Sequence, residues 1–155
     1  MSPDPETRLR ELGLELPAVP EPAGAYVSAN RTASLIFTAG QLPFENGELR
    51  ITGKVGDAVS ADEAYEAARL CALNGLAAAA AEAGGLNGIG RVVKVTGFVA
   101  SAPGFNAQPR VVNGASDLIG ELFGEAGLHA RSAVGVAELP LDSPVEVELV
   151  VEFEA

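Results

Sequence analysis

Arg131 opens an apolar run, Ala130-Arg131-Ser132-Ala133-Val134-Gly135-Val136, which stops at Leu139-Pro140 before a second run that carries Glu146. Strand interiors favour Val, Ile and aromatics, so a guanidinium set among them must find an anion. That anion is either a carboxylate of the protein or the carboxylate of a ligand. Arg offers a rigid fork that matches a carboxylate with two parallel hydrogen bonds. An acid opposite it, Glu146, could hold and activate a water, which suits hydrolysis of an electrophilic carbon. The same residues also allow a purely structural account. In that account Arg131 pairs with Glu146 or Glu148 across adjacent strands, and Glu146 is one of four acids on a solvated strand face.

Other reactive side chains are few. The 155 residues include one His and one Cys. His129 follows a helix stop and is expected on helix-end carbonyls. Cys71 lies mid-helix beside leucines and is expected to be packed and inert. A single cysteine leaves no intramolecular disulfide and no cysteine-based zinc site. No metal-ligand constellation is visible, so neither metal nor cofactor is expected. Gly84, Gly85, Gly88 and Gly90 lack the Lys-Ser/Thr and the preceding strand of a phosphate loop. A net charge of −11 repels phosphate backbones and argues against a nucleic-acid partner. No run approaches the ~18 apolar residues of a membrane span. The N-terminus lacks the basic and apolar regions of a signal peptide, so a cytoplasmic location and no membrane partner are expected.

The elements that must position Arg131 and Glu146 follow from periodicity. Residues 1–24 read as an N-terminal arm, with a short helix over residues 6–12 and then Pro17, Pro20 and Pro22 enforcing an extended path. Residues 26–29 and 34–39 read as a hairpin broken at the polar Asn30-Arg31-Thr32. Ser60-Ala61-Asp62-Glu63 is a capping box, and the helix behind it should run to about Ala83, where Gly84 and Gly85 permit a left-handed stop. Residues 91–100 are β-branched and must be a strand. A second helix is expected from near Pro109, ending by Gly127. Strands over residues 131–137 and 145–153 finish the chain, the last alternating Val145, Val147, Leu149, Val151 and Phe153 against Glu146, Glu148, Glu152 and Glu154. The plan is α+β: a mixed sheet with two main helices packed on one face.

Several pieces carry a family resemblance: Ala25-Tyr26-Val27, Thr38-Ala39-Gly40-Gln41-Leu42-Pro43, the Ala-rich helix ending at Ala83-Gly84, and Val92-Val93-Lys94-Val95. The 105–113 region, Ala130-Arg131-Ser132, Leu139-Pro140 and Val145-Glu146-Val147-Glu148 complete the pattern. In order and spacing the chain from residue 25 to 155 resembles the RidA/YjgF family of reactive-intermediate deaminases. Gly114-Ala115-Ser116-Asp117-Leu118 and Phe123-Gly124-Glu125 resemble its subgroup labelled endoribonuclease-like. The resemblance implies a chorismate-mutase-like fold assembled as a homotrimer, with ligand sites in clefts between subunits. It implies cofactor-free hydrolysis of enamines and imines such as 2-aminoacrylate to a 2-keto acid and ammonia. Matched residue by residue, Arg131 is the substrate-carboxylate clamp and Glu146 the acid that positions the hydrolytic water. Tyr26, Gly40, Asn113 and Ala133 match positions lining the cleft. Ala133 stands where many members have cysteine, and Ala39 where serine is common; an extra residue in Asp142-Ser143-Pro144 shifts the match just before Glu146.

Three functions follow from that pattern. The first is hydrolytic deamination of reactive 2-imino acids. The second is a non-catalytic trimer that binds or senses a small carboxylate or 2-keto acid, separable from the first because a binder tolerates Glu146→Gln. The third, ribonuclease activity, is opposed by the acidic balance, the single histidine and the lack of an aromatic-basic patch.

Overall fold

A computed structural model describes residues 3–154. Its sheet has five strands: β1 (Ala29–Thr32), β2 (Leu35–Thr38), β3 (Ile89–Ala100), β4 (Ala130–Val136) and β5 (Val145–Phe153). Their order is β1-β2-β5-β3-β4, antiparallel throughout except for the parallel pair β3–β4. A parallel pair needs a crossover connection. The helix α3 (Gln108–Phe123) supplies it. Together with α2 (Ala61–Ala83) it covers one face of the sheet, as the alternation of β5 requires. Val145, Val147, Leu149 and Val151 are all buried on that side.

Helix boundaries follow local chemistry. Ser60 Oγ accepts from Glu63 N–H at 3.1 Å while Glu63 Oε1 accepts from Ser60 N–H at 3.1 Å, the reciprocal box read from sequence. Gly84 at φ 80° ends α2. The second long helix stops earlier than expected: Gly124 adopts φ 58° after Phe123, and a short 3-10 turn over Gly124–Gly127 fills the remaining length. The hairpin also differs. Its first strand is the polar stretch itself, paired Asn30↔Phe37 and Arg31↔Ile36, and the reversal falls at Ala33 and Ser34, with Ala33 at φ 49°. An edge strand needs apolar residues only where it touches the core, so a polar run that reads as a break can pair.

Small residues set the spacing between layers. A Cβ on Gly114 would lie 2.0 Å from the Tyr65 backbone oxygen, so α3 crosses α2 nearly backbone to backbone. Flanking that contact, Tyr65 Oη donates to Asp117 Oδ2 at 2.6 Å and the Arg69 guanidinium forks onto Glu121 at 3.3 and 2.9 Å. The bond to the Asp117 carboxylate pushes the Tyr65 phenol up to about 12. Cys71 is fully buried against Val145, its thiol held well up by burial, as an inert packed thiol should be. At the N-terminus α1 (Pro5–Glu11), capped by Asp4, drives Leu9 into the core at 5% exposure. Arg8 Nε donates to the Glu121 carbonyl at 2.9 Å near the end of α3. Among the described residues no helix is long and apolar enough to cross a membrane.

Gly114→Ala tests the helix contact. Alanine gains up to about 1 kcal/mol of helix propensity, but a methyl cannot share space with a backbone oxygen. The clash should win, with a net loss of about 1–3 kcal/mol, read as a Tm decrease of about 2–4 °C per kcal/mol. An unchanged or raised Tm would show that the helices can separate freely.

Candidate functional site

Glu146 lines a cleft of about 770 Å³ together with Tyr26, Gly40, Leu42 and Phe44. Its carboxyl occupies space that only glycine leaves at residue 40. A Cβ there would come within 2.7 Å of Glu146 Cδ and 2.9 Å of Oε2. Burial, and secondarily the charge of Glu148, raises the Glu146 pKa above the usual carboxylate range. A carboxyl so shifted holds and gives up a proton nearer neutrality, as general acid–base work requires. Tyr26 is exposed along its ring, and its hydroxyl accepts from Ala23 N–H at 3.3 Å.

Arg131 lies elsewhere. It is half-buried on β4, where Nη1 donates to Asn113 Oδ1 at 2.7 Å and to Ser116 Oγ at 3.2 Å. Its Nη2 donates to the Pro109 carbonyl at 3.4 Å, so every partner is on α3. Behind Ser116 stands His129, with Ser116 Oγ to Nε2 at 2.9 Å and Nδ1 to the Gly127 carbonyl at 2.6 Å. A carbonyl only accepts, so Nδ1 carries the hydrogen. In the neutral ring Nε2 then accepts from the Ser116 hydroxyl, whose oxygen accepts from Arg131. The bonds thus run in one direction, from guanidinium to hydroxyl to imidazole to carbonyl. His129 reaches a helix-end carbonyl, as its place in the sequence indicates.

Arg131 and Glu146 do not meet within one chain, which corrects the internal ion pair considered from sequence. Strand β3 separates β4 from β5, with Arg131 paired to Val95 and Glu146 to Phe98. Partners in register share a sheet face. Val95 is fully buried beneath the helices, so Arg131 turns towards α3, whereas Glu146 and Glu148 alternate to the opposite face. Ala133, in register with Gly97, turns towards the helices as Arg131 does and packs on the core. The expected site residues therefore fall into two groups. Tyr26, Gly40 and Glu146 gather at the cleft; Arg131, Asn113 and Ala133 gather where β4 meets α3.

Residues 6–153 match the family model described as "YjgF/chorismate_mutase-like, putative endoribonuclease". The chain belongs to the YjgF/RidA family. It is 45% identical over 146 residues to protein TCP17 of Trypanosoma cruzi, covering 94% of this chain and 91% of that one. It is 31% identical over 143 residues to a 2-iminobutanoate/2-iminopropanoate deaminase of Dermatophagoides farinae, covering 91% and 95%. The crystal structure of protein Atu1372 from Agrobacterium tumefaciens superposes with a TM-score of 0.89 at 46% identity, covering 97% and 92%. These relatives account for the chorismate-mutase-like α+β architecture of this YjgF/RidA chain.

Sequence reasoning passed over two positioning side chains of this family member. Asn74 is 3% exposed inside the alanine-rich α2, and its amide donates to the carbonyls of Leu42 and Phe44, both at 3.0 Å. It pins the loop that forms one cleft wall. The available signal was a lone amide on an otherwise apolar helix face, which must find buried partners. Ser116 had no such signal, because only the fold brings it between Arg131 and His129.

Asn74→Ala would leave the part-buried Phe44 carbonyl unpaired and the Leu42 carbonyl with the Phe44 N–H as its remaining donor, costing about 1–3 kcal/mol, seen as a lowered Tm together with faster hydrogen exchange in residues 42–45. Glu146 also predicts a pH effect. Its folded pKa lies above its unfolded value, so the folded state binds the extra proton between those two values and stability falls as pH rises through that window. Glu146→Gln should therefore be more stable than wild type at neutral pH, with the advantage vanishing below the ordinary carboxylate range. An advantage that instead grows on acidification would contradict the raised pKa.

Proposed function

We propose that this chain is a cofactor-independent deaminase that hydrolyses reactive 2-imino acids, and their enamine tautomers, to 2-keto acids and ammonia. The observation that carries this reading is Glu146: a half-buried carboxyl with a raised pKa that lines a cleft, in room made by Gly40. A relative of 31% identity bearing the name of an iminobutanoate/iminopropanoate deaminase supports it.

The chemistry needs little more than placement. An imine carbon is already electrophilic, so orienting one water and one substrate supplies most of the catalysis. Glu146 takes a proton from the water as its oxygen bonds to the imine carbon and passes that proton to the imine nitrogen, which gives a neutral carbinolamine and restores the carboxylate. Collapse of the carbinolamine forms the C=O bond and breaks the C–N bond. The hydroxyl proton returns through Glu146 to the nitrogen, which leaves as ammonia. Arg131 holds the substrate carboxylate throughout. Because Arg131 and Glu146 face opposite sides of one sheet, the clamp must come from a neighbouring copy. The assembly we infer is a homotrimer with its sites between subunits. The uncovered sheet face, which carries Phe37 at 45% and Val134 at 43% exposure, supports such an assembly.

An amino-acid oxidase or serine/threonine dehydratase that generates imino acids in the presence of semicarbazide provides the test. Wild type should speed keto-acid release at the expense of the semicarbazone. Arg131→Ala and Glu146→Gln should each lower kcat/KM at least a hundredfold, within the range of general acid–base contributions, with the oligomer intact. Keto-acid binding without acceleration, tolerant of Glu146→Gln, would instead identify a sensing trimer.

A further inference from the structure

The cleft has a wall that the deamination chemistry does not use. Residues 17–23 run along one side of it and present Pro17, Val19, Pro20 and Pro22. Proline fixes φ and lacks an N–H, so this segment is stiff and needs no sheet partner. It is tied down at both ends. Ser28 Oγ donates to the Pro20 carbonyl at 3.1 Å and Ala23 N–H donates to Tyr26 Oη at 3.3 Å. At the other end Leu14 and Leu16 pack on the core that encloses Leu9.

Leu141 is another apolar residue of the lining. Leu141 is 67% exposed, and it and Asp142 adopt φ 58° and 59° in succession. Left-handed backbone is costly for residues other than glycine, and strain of this kind gathers where structure serves a site. Here it holds a leucine at the cleft mouth. Among the described residues, the charged side chains lining the space are Glu21 and Glu146, both acidic. The size is informative as well. A three-carbon imino acid has the bulk of a handful of waters at about 30 Å³ each, far below the cleft's 770 Å³ even if a neighbouring copy takes a share.

We propose that residues 17–22, together with Leu141, form a specificity wall that selects 2-imino acids with bulky apolar side chains, branched aliphatic or aromatic, over small or acidic ones. The selection rests on the deaminase reading of the cleft and adds the substrate class to it. The carboxylates of Glu21 and Glu146 repel an acidic side chain, while the proline strap and Leu141 shed water onto an apolar one.

Two readouts separate this inference from the reading beneath it. The first is calorimetric binding of 2-keto acids with methyl, isobutyl, benzyl and carboxyethyl side chains. The second is hydrolysis of imines made by an oxidase from alanine, leucine, phenylalanine and glutamate. Wild type should favour isobutyl and benzyl over methyl by at least about tenfold, the low end for discrimination by one methylene, and should favour carboxyethyl least. Val19→Asp, and separately Leu141→Gly, which suits the φ 58° backbone and so should fold, should each bring the isobutyl-to-methyl ratio towards one. A wild type without that preference, or variants that keep it, overturns the wall. So does loss of the oligomer with the preference retained, which would assign the segment to the interface. Selective keto-acid binding with no faster hydrolysis of any imine would sink the deaminase reading and leave the wall standing.

Discussion

Everything functional in this molecule is governed by the place of β3 between β4 and β5. A pleated strand sends neighbouring side chains to opposite faces, and the register sends Arg131 to the helix side and Glu146 to the open side. No rotamer change joins them through the sheet. A guanidinium with three acceptors on α3 and a carboxyl standing in the room left by Gly40 are each complete as halves and incomplete as a site. The open sheet face gives a second copy somewhere to sit, so the assembly and the chemistry we propose answer to the same constraint.

The helix layer makes that division usable. Alanines and Gly114 let α2 and α3 approach closely, and the Tyr65–Asp117 and Arg69–Glu121 bonds lock their relative position. That rigidity passes through Asn113 and Ser116 to the Arg131 fork on one side of the molecule. On the other side it passes through Asn74 to the loop at Leu42 and Phe44. If Arg131 is the clamp we propose, it needs a support of this kind, since rate depends steeply on placement.

Legibility in the sequence tracks how local each feature is. The capping box at Ser60, the glycine stop at Gly84 and the alternation of β5 were readable because neighbouring residues determine them. The polar strand β1 was misplaced by a few residues because an edge strand is defined by its partner and only weakly by its own composition. Arg131 and Glu146 stood out by residue type and place, and Tyr26, Gly40 and Asn113 through a family pattern, yet their separation into two groups was not legible. That separation follows from β5 inserting between β2 and β3, a non-local choice. The course of the proline-rich arm along the cleft was equally hidden, because prolines specify an extended path but not the surface it runs along.

The same topology divides the molecule in time. Strand β3, helix α3 and strand β4 are contiguous in sequence, so the Arg131 half can assemble from near neighbours. The Glu146 half depends on pairing between β2 and β5, where the Leu149 amide donates to Thr38 Oγ1 across 111 residues of chain. Closing so long a loop costs entropy before any contact rewards it. Contact separation therefore favours early assembly of the Arg131 half and late assembly of the Glu146 half, so on the function we propose a growing chain would carry its ligand anchor before the carboxyl that acts on what it holds.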